Sequence, residues 1–252
     1  MAPAETTVTV TSFNIHHGEG TDGVLDLARI ARVIRAGGAD IAGLQEVDRN
    51  FAERSDWTDQ AAELVELLGC HVAYGANIDL DPPGPGKPRA QFGNAVLSRY
   101  PIARWENAHL FRSRGEEQRG LLHAEVDMPG VLLHVYVTHL AAFSATDRVR
   151  QAEQVVQLVN ENDPAVLLGD FNARPQTPEI DTLRAALTDT WTAAPGAGPL
   201  APHADAPAAR IDYIFTSQRL SATWTGFSTD DPAASDHLPV VSRLASGAGY
   251  GC

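Results

Sequence analysis

The sequence predicts an α/β protein whose strands gather into a two-sheet arrangement, and three observations carry that expectation. Strand-like segments dominate, amphipathic helices are interspersed among them, and unusual polar residues recur where apolar strands finish.

Residues 7–13, Thr-Val-Thr-Val-Thr-Ser-Phe, alternate β-branched and small polar side chains at period two and read as a first strand that delivers Asn14 at its end. Residues 26–36 place Leu27, Ile30, Ala31 and Ile34 at helical spacing, and Gly37-Gly38 supplies the stop. A buried strand over 40–44 follows, with Gln45-Glu46 expected where it finishes. Residues 60–68 read as a second helix and 70–74 as a strand. The run Asp81-Pro82-Pro83-Gly84-Pro85-Gly86 can hold neither element and is an exposed loop. Segments 92–98, 121–126 and 131–138 resemble an antiparallel meander, with a turn at Pro129-Gly130. Residues 148–159 put Val149, Ala152, Val156 and Val159 on one helical face, and 165–168 form a short buried strand that ends in Gly169-Asp170. The Ala-, Pro- and Gly-rich stretch 193–209 reads as a long surface loop rather than a linker, because strand-like 211–215 resumes directly after it. The chain is thus read as one domain, 1–252, and as a monomer.

Composition narrows the function classes. With 44% hydrophobic and 20% charged residues the chain is an ordinary packed protein, neither disordered nor fibrous. A formal net charge of -13 works against non-specific binding to nucleic acid, because phosphate neutralisation by Lys and Arg supplies most of that affinity. Lys87, Arg89, Arg99, Arg104, Arg112, Arg114 and Arg119 form the strongest candidate basic stretch, with a solvated face as the alternative reading. Cys70 and Cys252 are the only cysteines, which rules out a disulfide framework and a cysteine-based zinc site while leaving a single bridge open. Cys70, in an apolar stretch, reads as a small buried hydrophobe, and Cys252 as part of a Gly-rich tail. No apolar run approaches the roughly 18 residues of a transmembrane helix. The N-terminal residues lack the pattern of a signal peptide and equally suit a mature secreted form, so localisation stays open between cytoplasm and export.

Taken singly, the polar motifs are weak: Asp170-Phe171-Asn172 is also an Asx turn, and a lone histidine usually satisfies a backbone group. Six strand-end segments together bear Asn14, Glu46, His139, Asp170 with Asn172, Asp212, and Asp236 with His237, and coincidence is a poor account of that set. Carboxylates and amide oxygens are the ligands of hard cations, and two histidines beside carboxylates suit proton transfer near neutral pH. The inventory fits metal-assisted hydrolysis.

The ordered set Phe13-Asn14-Ile15, Leu44-Gln45-Glu46, Gly93-Asn94-Ala95-Val96-Leu97-Ser98, Thr138-His139-Leu140, Gly169-Asp170-Phe171-Asn172, Ile211-Asp212-Tyr213 and Ser235-Asp236-His237-Leu238-Pro239 resembles the endonuclease/exonuclease/phosphatase superfamily, from residue 8 to residue 243. The resemblance is to its deoxyribonuclease I-like and neutral sphingomyelinase-like branches. It implies a four-layer α/β sandwich of two packed mixed sheets and a divalent cation, Mg²⁺ or Mn²⁺, with Ca²⁺ also open. By matching motif, Glu46 would be the principal metal ligand with Asp236 completing the site, and Asn14 would bind metal or phosphate oxygen. Asp170 would orient or deprotonate the attacking water. Asn172 would donate to the phosphoryl oxygen, and His237, held by Asp212, would face phosphorus. His139 matches the second histidine of the deoxyribonuclease and sphingomyelinase branches, where repair nucleases tend to carry Tyr.

One departure is His16, which stands where repair nucleases of the superfamily commonly carry an acidic residue. It leaves three roles open: metal ligand, phosphate contact or loop support. His17 reads as structural, and Arg119 as a phosphate contact or a surface ion pair. The favoured function is therefore a metal-dependent phosphodiesterase or phosphatase acting on a small or lipid-derived ester. A deoxyribonuclease-like nuclease is the alternative, and a non-catalytic binding module the third reading. Substrate choice is expected in loops 77–90, 108–118 and 195–209.

Overall fold

The computed structural model describes residues 6–159, 163–196, 210–227 and 229–246. Cys252, residues 197–209 of the expected surface loop and the Gly-rich tail lie outside the described residues.

Alternating side chains give β1 (Thr7–Asn14) one face toward each neighbouring layer, and it pairs in parallel with β2 (Ile41–Arg49) across the helix α1 (Leu27–Ala36). Asp26 caps α1 by accepting from the Arg29 N–H at 2.8 Å, and Asp59 caps α2 (Gln60–Leu68) in the same manner. Both helices lie on the outer face of the first sheet. Their Ile30, Ile34 and Leu64 pack with Phe13, Leu44 and Leu97. After α2 come β3 (His71–Leu80) and β4 (Ala90–Ser98), and the sheet is completed by β11 (Leu220–Phe227) and β12 (Val240–Ser246) in the order β11-β12-β1-β2-β4-β3.

The second sheet has the order β5-β6-β7-β8-β10-β9. Its strands are β5 (Ile102–His109), β6 (Gly120–Met128), β7 (Val131–His139), β8 (Ala165–Asp170), β9 (Thr188–Asp189) and β10 (Asp212–Thr216). Parallel β7–β8 is crossed by α3 (Ala145–Leu158), capped by Ser144, and α4 (Pro178–Ala186) joins α3 on the outer face over Leu140, Leu167, Phe171 and Phe215. A short helix α5 (Thr190–Ala193) follows β9.

Between the sheets Val10, Ile41, Val96, Leu122, Val135, Val137, Leu168 and Ile214 form one apolar layer. The order helices, sheet, sheet, helices is the expected four-layer α/β sandwich. Gly43 shows how closely the sheets approach: a Cβ there would meet Leu168 Cδ1 and Val137 Cγ2 at 2.7 Å. Asn94 bridges the same gap, with its Nδ2 donating to Gly120 O and Val137 O at 3.3 and 3.4 Å.

The structure departs from the sequence expectation at several elements. β2 does not finish at Gln45-Glu46 but continues to Arg49 through a register shift between Leu44 and Val47, because a bulge lets the ladder resume beyond the extra residue. The strand expected over 70–74 extends to Leu80, and α3 starts three residues before the predicted 148 because Ser144 caps it. Cys70 is half-buried against the α1/α2 layer, and burial pushes its thiol up.

Candidate functional site

Register brings the site together on one edge of the sandwich. In the second sheet His139 pairs with Asp170 across β7–β8, and Asp170 pairs with Asp212 across β8–β10, so three polar residues stand side by side. Asp212 opens β10 rather than ending it, and the antiparallel pairing returns it to the same edge. In the first sheet Asn14 closes β1 beside Gln45 of β2. Ser235, Asp236 and His237 arrive on the loop before β12. The Ser235 hydroxyl donates to Asn14 O at 2.8 Å and accepts the His237 N–H at 3.2 Å, which ties that loop to the end of β1.

Asp170 is the centre. Its Oδ2 accepts from Asn14 Nδ2 at 3.1 Å and lies 3.4 Å from His139 Nε2 and 3.5 Å from His237 Nε2. Its Oδ1 accepts the Asn172 N–H at 2.9 Å. Burial, and then the neighbouring Asp212 charge, push the carboxyl up to about 7, against the opposing pull of His237. A carboxyl so poised can exchange a proton near neutral pH.

His237 Nδ1 meets Asp212 Oδ2 at 2.9 Å, the pairing expected from the sequence pattern. Burial works against the imidazolium, but the Asp212 charge and hydrogen bond, with Asp170 and Asp236, outweigh it and raise His237 to about 10. His139 goes the other way. Burial, then Arg119 and His237, hold it well below its ordinary value, so it is neutral, and its Nε2 receives Asn172 Nδ2 at 3.0 Å. Asn172 also donates to Leu140 O at 3.1 Å.

Glu46 occupies the bulge of β2 with φ 58°, and Asn172 has φ 49°. Both are left-handed backbone, a conformation that costs energy and that carbon-branched side chains avoid. The bulge turns Glu46 toward Asn14, whose Nδ2 donates to Glu46 Oε1 at 2.9 Å as well as to Asp170. Asn14 Oδ1 is taken by the His16 N–H at 3.0 Å, and His16 Nδ1 donates to Glu19 O at 3.1 Å. His16 and His17 are themselves left-handed, at φ 44° and 43°. His17 is buried and its carbonyl accepts from Gln60 Nε2 at 2.5 Å, in line with a structural part.

Asp236 accepts from the Ser235 hydroxyl at 3.3 Å, which places it at the same corner as Asn14. Arg119 is buried beside His139 and pairs with Glu117 at 3.0 Å. With Ala141 and fully exposed Phe143 it lines a cleft of about 300 Å³.

The donors suit a hard cation: they are mainly carboxylate oxygens, and Asp212 Oδ1 is buried without a hydrogen-bond partner among the described residues. Among the described residues, Asp170, Asp212 and His237 offer donor atoms all within 4.8 Å of one another. Glu46 joins this group through the shared Asn14 amide.

Sequence reasoning missed Ser235 as the tie between two motifs, although it stands within a quoted run. It also missed the clamp that fixes the entry of β10. Arg210 binds Asp189 through two contacts of 2.9 and 2.6 Å, and Tyr213 OH donates to Ala173 O at 2.9 Å. No local pattern marks Arg210, since its partner is 21 residues away. Of the basic stretch 87–119, Arg89, Arg99, Arg104 and Arg119 each hold a carboxylate partner and do not form a free cationic surface.

Residues 11–237 match the Endonuclease/Exonuclease/phosphatase family. The chain is 28% identical over 249 residues to the uncharacterized protein YbhP of Escherichia coli K12, covering 93% of this chain and 95% of that protein. Protein cwh43 of Schizosaccharomyces pombe is 30% identical over 181 residues, 69% of this chain and 18% of that protein. Among solved structures, an endonuclease/exonuclease/phosphatase from Beutenbergia cavernae superposes with TM-score 0.82 at 32% identity, over 97% of this chain and 73% of that one. The mannosyl-6-phosphatase Bt3783 of Bacteroides thetaiotaomicron gives TM-score 0.74 at 21% identity, over 94% and 99%. Truncated TDP2 of Caenorhabditis elegans gives 0.66 at 19%, over 94% and 97%. At those lower identities the likeness is one of fold.

Proposed function

Since this chain belongs to the Endonuclease/Exonuclease/phosphatase family, whose members are hydrolases acting on phosphoesters, we propose that it is a divalent-metal-dependent phosphoesterase for a small or lipid-derived phosphate ester. The observation that carries this reading is the convergence of Asn14, His139 and His237 on one oxygen of Asp170.

Glu46 and Asp236, with the oxygens of Asp170 and Asp212, are the residues that would hold the cation, while Asn14 orients Glu46 and Asp170 through its Nδ2. Once bound, such a cation polarises the phosphoryl group and offsets the charge that develops on it. Asp170, poised near neutrality, accepts a proton from the attacking water. His237, charged and oriented by Asp212, presents its Nε2–H to phosphoryl oxygen. The Asn172 amide, donating to Leu140 O and to Nε2 of neutral His139, fixes that ring beside the phosphate. Arg119, in the cleft beside His139, is paired with Glu117 at 3.0 Å, and the ester's anion would share that guanidinium.

Two features support a small or lipid-derived ester over DNA. The charge of -13 disfavours a polyanion, and the arginines of the strongest basic stretch are largely held by carboxylates. Exposed Phe143 offers an apolar contact in the cleft that Arg119 lines together with Glu116 and Glu117.

A substrate panel tests the proposal: nitrophenyl phosphates, glycerophosphodiesters, inositol phosphates, sugar phosphates, sphingomyelin and plasmid DNA, each with Mg²⁺, Mn²⁺, Ca²⁺ or chelator. Hydrolysis of a small or lipid ester that disappears with chelator is expected. Plasmid cleavage without small-ester turnover would convert the reading to a nuclease, and inertness toward the whole panel with every metal would sink it.

A further inference from the structure

On the solvent side of the second sheet, β6 and β7 carry a cluster that the hydrolytic site does not use. Leu121 and Tyr136 on this face are covered by the α3/α4 layer, but the next outward residues along each strand, His123 and Glu125 on β6 and His134 on β7, emerge beyond it half-buried. Register sets Glu125 opposite His134 and His123 opposite Tyr136, whose ring stacks on His123 at 4.3 Å.

The two imidazoles meet end to end, nearly coplanar at 19°, with His123 Nε2 2.9 Å from His134 Nδ1. Each outer ring nitrogen faces a carboxylate. His123 Nδ1 is 3.6 Å from Glu106 of β5, and His134 Nε2 is 3.8 Å from Asp163, just before β8. Two neutral imidazoles leave a mismatch in this row: an inner N–H can donate to the facing inner nitrogen at 2.9 Å, but that ring then turns an outer lone pair toward its carboxylate. If both outer nitrogens carry protons toward the carboxylates, both inner lone pairs point at the same space. A cation between the inner nitrogens resolves the conflict.

We propose that His123 Nε2, His134 Nδ1 and the Glu125 carboxylate form a second metal site for a borderline transition ion of the Zn²⁺ type, separate from the hydrolytic centre. One donor atom from each residue lies within 4.8 Å of the other two. A tetrahedral ion with bonds of about 2.0–2.1 Å needs donors about 3.4 Å apart, so the inner nitrogens must open by about half an ångström. Glu106 and Asp163 then take the outer N–H groups, the carboxylate–histidine–metal pattern that fixes tautomer and ring orientation. Glu125 accepts from Arg104 at 2.6 Å, and that arginine is largely exposed and free to swing away when the carboxylate turns to the ion. The fourth position belongs to solvent. Imidazole donors favour Zn²⁺, Cu²⁺ or Ni²⁺ over the Mg²⁺ that suits an oxygen-rich site, which separates the two sites chemically.

The test is a calorimetric titration of chelator-stripped protein with Zn²⁺ in excess Mg²⁺, repeated with Co²⁺ followed by visible absorption. Wild type and Glu46→Gln are expected to bind the outer-face equivalent alike. The double variant His123→Gln/His134→Gln should lose that equivalent, with at least 100-fold weaker binding, while its melting temperature in chelator stays near wild type. Glu106→Gln should weaken Zn²⁺ binding by about 10- to 100-fold without removing a ligand. Glu125→Gln gives an independent check on surface ligation, since it leaves both imidazoles in place and should also weaken binding. Unchanged stoichiometry and affinity in the double-histidine variant would overturn the proposal, as would a wild type that takes up no Zn²⁺ beyond what Glu46→Gln forfeits.

Discussion

Replacing Asp212 with Asn keeps the shape of the side chain but removes the charge that faces His237 Nδ1 at 2.9 Å. Two consequences follow from the geometry. The first is catalytic: an amide carries no charge to hold the imidazolium and can present its NH₂ instead of an acceptor, so the ring loses the partner of its Nδ1–H, and the orientation of Nε2 toward Asp170, 3.5 Å away, is lost with it. A loss in turnover of about 10²-fold is expected, with Asp212→Asn/His237→Ala little worse than the worse single variant because the two act as a unit. The second is a change in how stability depends on pH. His237 titrates near 10 in the folded protein against about 6.5 when unfolded. Below about 6.5 both states hold the proton and the full contribution of the pair is present. Between about 6.5 and 10 only the folded state holds it, so stability falls as pH rises, by roughly 1.4 kcal/mol per pH unit for one proton. The Asn variant removes the largest attraction that raises the histidine, so that slope should flatten. The assay is denaturant unfolding in chelator from pH 6 to 10, with turnover measured on the same metal-reconstituted preparations. Multiplicative losses in the double variant would refute the coupling. An Asp212→Asn protein that is less stable at every pH by the same amount, yet turns over normally, would show that Asp212 is only a buried strand-end carboxylate.

Glu46→Gln should raise the cation concentration needed for half-maximal activity by about tenfold or more with melting temperature little changed; undiminished turnover in the variant, or in chelated wild type, would refute the metal role of Glu46. Supercoiled plasmid should survive incubation with the protein and Mg²⁺ at physiological salt, and nicking that His237→Ala abolishes would promote the nuclease reading. Phe143→Ala should raise KM for esters with an apolar group while leaving KM for a small polar ester unchanged, and equal effects on both would remove Phe143 from recognition. Asn94→Leu should cost about 1–3 kcal/mol in chemical denaturation, because Gly120 O and Val137 O lose a donor between the sheets, while the folded fraction keeps its turnover.

Most of the fold was legible because its signals are local. The period-two run in β1, the helical spacing of Leu27, Ile30 and Ile34, and the Pro129-Gly130 turn each mark an element without reference to anything distant. What escaped notice is decided by tertiary partners. β5 (Ile102–His109) shows mostly exposed side chains, Ile-Ala-Arg-Trp-Glu-Asn-Ala-His, and is a strand because β6 supplies its ladder. The strands β11 and β12 gain their definition from pairing with each other and with β1 at the opposite end of the chain. α4 carries little apolar periodicity beyond Ile180 and Leu183, which become buried only when α3 packs beside them.

The site was legible for a related reason and misread in one respect. Strand ends are simple to find, and Asn14, His139 and Asp170 are indeed the last residues of β1, β7 and β8. Glu46 is not a strand end. An extra residue in β2 opposite β4 throws its backbone to φ 58°, and the strand then continues for three residues. A regular strand would point Glu46 into one sheet face and leave it beside Leu44 rather than Asn14, so the bulge is what delivers the carboxylate to the edge. Left-handed backbone at Glu46, His16 and Asn172, without a glycine at any of the three, costs of order 1 kcal/mol or more each. Glycine would relieve that cost and lose the side chain. These three residues surround the amide of Asn14 and the carboxyl of Asp170, where the proposed chemistry needs fixed side chains and the apolar layers on either side hold the backbone in place; Asn50, Asp56, Trp57 and Gln176 adopt the same backbone outside these contacts, so left-handed residues are not confined to the site.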